Sequence, residues 1–147
     1  MRVCFLDLDG VLAPFSSVIR SRAEALDGRL VRRVARFVER ENLTVVLAST
    51  WRHEVGVQRT VKLLAPSWPQ AAERIRSSTP VLHLPRGREV LAWLRAVDDV
   101  ERFVILDDAD DLSPLGAFHV KTEPYAGLQP ADLVKAAAVL ARQRPAF

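Results

Sequence analysis

Three short apolar runs in this chain each stop at a polar or acidic cluster, and that recurrence constrains the fold most. Val3–Leu6 runs into Asp7, Val45–Ala48 into Ser49, and Phe103–Leu106 into Asp107. Each run is rich in β-branched or large apolar residues and lacks polar alternation. That pattern marks strands buried on both faces, as in a parallel sheet. Ala117–Lys121 is a fourth candidate strand, and Val81–Leu84 a candidate for a short fifth. Helical spacing falls between the runs. Leu30, Val34, Phe37 and Val38 share one face, with arginines opposite; Val90, Leu91, Leu94 and Val97 repeat the spacing. So do Leu133, Val134, Ala137, Leu140 and Ala141, with Pro130 placed as a first helical residue. Strands alternating with helices predict an α/β domain: a mostly parallel sheet with helices on both faces.

The chain's 147 residues suit a single domain over 1–147 with a substantial core. Trp51–Pro85 is the least legible stretch, because Pro66, Pro69, Pro80 and Pro85 break it into a helix around Val55–Leu64 and shorter pieces. No apolar run approaches the ~20 residues that span a bilayer. Met1-Arg2 leads straight into a strand with no signal-peptide pattern, and the single cysteine, Cys4, suits a reducing compartment as a packing residue. A cytoplasmic location without membrane contact is the expectation. The net charge of +3 is carried mostly by arginines at 20–40, 74–102 and 142–144. Solvated helix faces account for that spread, and it also suits an anionic substrate.

In open α/β sheets, ligands bind outside the carboxyl ends of the strands. Asp7, Asp9, Ser49 and the pair Asp107-Asp108 therefore converge on one rim although they are far apart in sequence. Several carboxylates on one rim repel each other and call for a cation. Hard oxygen donors favour Mg²⁺ over zinc, and His53, His83 and His119 are too scattered for a zinc cluster. Gly10 follows Asp7 too closely for a calcium-binding EF-hand loop.

The stretches "FLDLDGVL", "VVLASTWR" and "FVILDD" resemble motifs I, II and IV of the haloacid dehalogenase (HAD) superfamily of aspartate-nucleophile phosphatases, in the same order. The resemblance spans residues 2 to about 125, and "STWR" with "RGREVLAWL" is similar to small members with little or no cap, some fused to RNA-repair enzymes. It implies a three-layer Rossmann-like fold and a Mg²⁺-dependent phosphomonoester hydrolase. Asp7 would be the nucleophile and Asp9 the general acid and then base, a role suited to a pKa raised by crowding. The metal would be held by Asp7, the Asp9 backbone carbonyl and Asp107, with Asp108 as a further candidate ligand or water-orienting group. Gly10 would let the chain turn where a side chain would obstruct the site. Ser49 matches the phosphate-binding hydroxyl of motif II, with Thr50 as its rival and helix capping as a compatible role for Ser49. The usual motif III lysine is absent. "PRGREV" offers Arg86, with Arg88 close behind and Lys62 a weaker candidate. Asp111 stands at a spacing that some members use, though Asp110 and Asp111 equally suit a solvated loop. Trp51 reads first as a packing residue, and Trp51 and Arg52 are placed to face a leaving group.

A response-regulator receiver would put its acidic pair after the first strand, and here the first strand carries D-x-D instead. A HAD-like binding protein, which would bind Mg²⁺ yet hydrolyse no phosphomonoester, and a phosphotransferase, separated from a hydrolase by product analysis, remain as alternatives. The segments Val11–Ala48 and Trp51–Pro85 leave little room for a cap. An open site suits phosphates on large substrates, and the basic balance tilts the expected partner toward a nucleotide or nucleic-acid end over a small metabolite. Oligomer neighbours could serve in place of a cap.

Overall fold

The computed structural model describes residues 1–143, so Arg144 lies outside the described residues. Five strands, β1 (Arg2–Leu6), β2 (Thr44–Leu47), β3 (Ile75–Ser78), β4 (Arg102–Asp107) and β5 (His119–Lys121), form one sheet in the order β3-β2-β1-β4-β5. Every neighbouring pair is parallel. The helices are α1 (Arg22–Ala25), α2 (Gly28–Glu41), α3 (Val57–Leu64), α4 (Ala71–Arg74), α5 (Arg86–Ala96) and α6 (Pro130–Arg142). A π-helical turn over Arg52–Gly56 leads into α3, and a 3-10 turn over Gly116–Phe118 precedes β5.

Alternate residues of the central strands face two separate cores. Cys4, Leu6, Val45, Leu47, Val104 and Leu106 pack with α2, α6 and the end of α3. Val3, Phe5, Val46, Ala48 and Ile105 pack with α5 and with Leu112 and Leu115 of the following loop. The result is a three-layer Rossmann-like arrangement in which both faces of β1 are dry, which is why its sequence is continuously apolar. Burial pushes the Cys4 thiol up to about 12, in keeping with a packing role. The chain runs β1–β2–β3 outward, then returns past β1 to β4. The strand order therefore reverses at β1, the place where open sheets bind ligands.

Three expectations are corrected. Val81–Leu84 is exposed loop, and the strand of that segment is β3 instead. β3 is an edge strand with Arg76, Ser77 and Ser78 at or near the surface, so no apolar run announces it. The fourth strand is shorter than 117–121, because Gly116–Phe118 coil into the 3-10 turn. On α6 the buried stripe is Leu133, Ala136, Val139 and Leu140, whereas Val134 is 71% exposed and Ala141 is exposed.

No cap is inserted among the described residues. A loop and α1 join β1 to α2, and the π turn, α3, α4 and β3 fill the second segment. No described helix is long and apolar enough to cross a membrane.

Candidate active site

Asp7 follows the last residue of β1, and its backbone N–H continues the ladder to Leu106 at 3.0 Å. Asp107 ends β4, the strand beside it. The parallel register thus delivers two acids from distant sequence to the same level, with Asp108 next. One carboxylate oxygen from each of Asp7, Asp107 and Asp108 lies within 4.8 Å of the others. Asp7 and Asp107 are buried. Leu8 N–H donates to Asp7 Oδ1 at 2.8 Å and Ala109 N–H to Asp107 Oδ1 at 2.9 Å, so both carboxylates are oriented by backbone.

One guanidinium faces these three acids. Arg86 Nη1 lies 2.5 Å from Asp107 Oδ2 and 3.5 Å from Asp7 Oδ1. Burial works against the Arg86 charge, but Asp107 and Asp7 outweigh it and hold the group protonated more firmly than usual. One positive charge does not balance three negative ones. Burial first, and then Asp107, push the Asp7 carboxyl well above the ordinary range despite Arg86. Burial likewise raises Asp108, which shares a hydrogen bond with Asp7. A bound divalent cation would favour the ionised form of these three crowded carboxyls, and the hard oxygen donors suit such an ion.

Asp9 stands outside this cluster. Its Oδ1 accepts a 3.0 Å hydrogen bond from the Trp51 indole N–H. The crowding expected around Asp9 falls on Asp7 and Asp108 instead. Gly10 turns the chain with φ +78°, and a Cβ there would sit 2.3 Å from Asp108 Oδ2. Glycine is thus required twice over, by conformation and by the acid lying against it. Ser49, fully buried two residues past the Leu6–Leu47 pairing, accepts the Trp51 backbone N–H on Oγ at 3.2 Å. Its hydroxyl hydrogen meets no acceptor among the described residues and can donate to a ligand. Thr50 is half-buried and lines a small cavity of about 240 Å³ beside Arg86.

The family model for the HAD domain in Swiss Army Knife RNA repair proteins matches residues 3–133. The chain belongs to this HAD family. No match was found among curated proteins or among solved structures. HAD domains are generally hydrolases, phosphatases among them.

Of the sequence candidates, this HAD domain gathers Asp7, Asp107, Asp108 and Arg86, and brings Asp9 and Ser49 up beside them. Arg88 and Lys62 are exposed, and neither makes an ion pair with these acids among the described residues. Asp110 pairs with Lys121 at the surface, and Asp111 accepts the Ser113 N–H in a loop turn, so neither joins the cluster.

Sequence reasoning missed the scaffold behind these groups. Trp51 is buried as expected, but its indole also holds Asp9 across 42 residues. Arg52 does not face a leaving group. Its guanidinium is buried and donates to the carbonyls of Ser49 (2.8 Å), Thr79 (3.0 Å) and Pro80 (3.3 Å), and to Glu89 Oε1 (2.8 Å). Glu89 Oε2 in turn accepts the Leu82 N–H at 2.7 Å. This network ties the Ser49 strand end, the loop after β3 and the first turn of α5, which carries Arg86. Gly87 lets that turn approach closely, since a Cβ would fall 2.3 Å from the Ser113 carbonyl and 2.4 Å from that of Leu112. A glycine opening a helix as "RGR" was the one signal available for this contact.

Proposed function

We propose that this HAD domain is a Mg²⁺-dependent phosphatase that hydrolyses a terminal phosphomonoester of a nucleotide or nucleic acid through an aspartyl-phosphate on Asp7. The observation that carries the reading is the buried group of Asp7, Asp107 and Asp108 facing Arg86 where the strand order reverses. The nucleic-acid preference is supported by the family's occurrence in RNA repair proteins and by the uncapped rim, which admits a large substrate.

The side chains divide the work. Leu8 N–H pins Asp7 Oδ1, leaving Oδ2 to attack phosphorus as the ester oxygen departs. Arg86, 3.5 Å from Asp7, faces the charge that grows on the phosphoryl oxygens. Ser49 donates its free hydroxyl hydrogen to one of those oxygens, with Thr50 at the mouth. Because the Trp51 indole occupies Asp9 Oδ1, it is Asp9 Oδ2 that passes a proton to the leaving oxygen. The same oxygen then takes a proton from the water that attacks the phosphorus. This frees phosphate and restores Asp7.

The donors fit Mg²⁺, with Asp7 and Asp107 as ligands, Asp108 beside them and the Asp9 carbonyl as the family pattern implies. When bound, the ion would favour the ionised form of Asp7 and screen an incoming phosphate from the acids. The test is phosphate release from p-nitrophenyl phosphate, nucleotides and 5′- or 3′-phosphorylated oligonucleotides, with Mg²⁺ or chelator. Release that needs Mg²⁺ and collapses in Asp7→Asn is expected. Full activity in Asp7→Asn would overturn the mechanism, and transfer to an acceptor without free phosphate would mark a phosphotransferase.

A further inference from the structure

Two aromatic side chains stand in solvent beside the turn that carries Asp9. Phe15 is 47% and Tyr125 70% exposed, and their rings meet edge to face with centroids 5.9 Å apart. Both are firmly mounted. Phe15 N–H donates to the Pro124 carbonyl at 2.9 Å, and Leu128 N–H donates to that of Val11 at 2.8 Å. Thr122 Oγ1 donates to the Gly10 carbonyl at 2.7 Å. The 122–128 loop is therefore bonded to the backbone next to Asp9. Gly10 N–H reaches back to Ala13 at 2.8 Å, and Phe15 lies within about 7 Å of Ala13 by chain reach. A short stretch of strand would span the gap from ring to acid.

A cleft of about 640 Å³ opens beside the ring pair. Its wall carries four charged side chains, Arg20, Glu24, Asp27 and Arg29. The acids are engaged locally: Glu24 accepts the Ser21 N–H at 3.2 Å, and Asp27 accepts the Arg29 N–H at 2.9 Å. Arg20 makes no ion pair among the described residues. Val18 and Ile19 on the same loop are exposed as well. Exposed aromatic faces beside arginine are what a single strand needs, bases stacking on the rings and phosphates meeting the guanidinium. The core of a protein interface, by contrast, is depleted of charge.

The geometry points to a strand-binding ledge: Phe15 and Tyr125, with Arg20, hold the single-stranded segment next to the terminal phosphate. The assignment rests on the phosphatase reading for its substrate, but its binding test does not. In the turnover-dead Asp7→Asn background, fluorescence anisotropy with an end-phosphorylated single-stranded RNA reads affinity alone. Phe15→Ala and Tyr125→Ala each raise Kd about tenfold. Phe15→Tyr and Tyr125→Phe keep a stacking face and restore affinity. With Asp7 intact, the alanine variants turn over p-nitrophenyl phosphate, which has no strand, with kcat/KM within about twofold of wild type.

Absence of RNA binding, or an unchanged Kd in both alanine variants, overturns the ledge even if the phosphatase reading stands. Equal loss on RNA and on p-nitrophenyl phosphate also overturns it, because it marks a merely structural role. Self-association that the alanine variants abolish, with RNA affinity intact, would make a second copy the occupant and likewise overturn it. RNA binding through the rings without phosphate release from any ester supports the ledge and overturns the phosphatase reading alone.

Discussion

The buried pair between Arg52 and Glu89 sets how well the two halves of the site are held together. Its side chains are only 4% and 6% exposed and meet at 2.8 Å, so solvent screens them little. Removing one partner of such a pair leaves an uncompensated buried charge and costs about 3–5 kcal/mol. Glu89→Gln keeps an acceptor for the Leu82 N–H and leaves Arg52 three carbonyl partners, which puts it near the lower end. Arg52→Met strips all three carbonyls and strands the Glu89 carboxylate, which puts it near the upper end. For a chain this long, 1 kcal/mol moves Tm by roughly 3–4 °C. Thermal unfolding should therefore show falls of about 10 °C for Glu89→Gln and about 15 °C for Arg52→Met. The double variant Arg52→Met/Glu89→Leu should be less destabilised than the two losses summed, because neither charge is then left alone. Single variants within about 2 °C of wild type, or a strictly additive double, would refute the reasoning.

Gly10→Ala should lose activity along with about 1–2 kcal/mol of stability, read by phosphate release and denaturant unfolding, because its Cβ meets Asp108 at a left-handed position. Gly87→Ala should push Arg86 away from the acids, raising KM while leaving the sheet folded. Trp51→Phe keeps a packed ring but loses the N–H to Asp9, so on p-nitrophenyl phosphate, whose leaving group needs no acid, slower water attack should lower kcat roughly tenfold and KM along with it. The raised Asp7 carboxyl binds its proton more tightly in the folded state than in the unfolded one. Without metal, stability should therefore fall as pH rises from the ordinary carboxylate range through the raised one. Mg²⁺ should raise Tm more at pH ~7 than at pH ~5, where the proton competes with it. Calorimetry across that range, with and without Mg²⁺, checks the sign.

The fold and the acids were legible because burial on both faces writes itself into β1, β2 and β4 as continuous apolar runs, and the rim begins where each run stops. Asp7, Asp107 and Asp108 follow from that alone. β3 was hidden because an edge strand can carry Arg76, Ser77 and Ser78. On α6, Val134 and Ala141 fit an apolar stripe by spacing alone, whereas the buried face centres on Ala136 and Leu140. The pairing of Arg52 with Glu89 spans 37 residues and that of Trp51 with Asp9 spans 42, so no local spacing reveals either. Arg86 was separated from Arg88 only by the three-dimensional start of α5, which brings the first to Asp107 and leaves the second exposed.

The central claim is that Asp7 carries the phosphoryl group, and acid-quenched trapping tests it most directly. Wild-type protein is mixed with radiolabelled p-nitrophenyl phosphate and Mg²⁺, then denatured in acid and digested. Label should appear on the peptide containing Asp7 and be absent in Asp7→Asn. It should accumulate in Asp9→Asn, where the good leaving group departs unaided but the attacking water lacks its base. Phosphate release with no covalent label in any of the three proteins, or label retained in Asp7→Asn, would contradict the account.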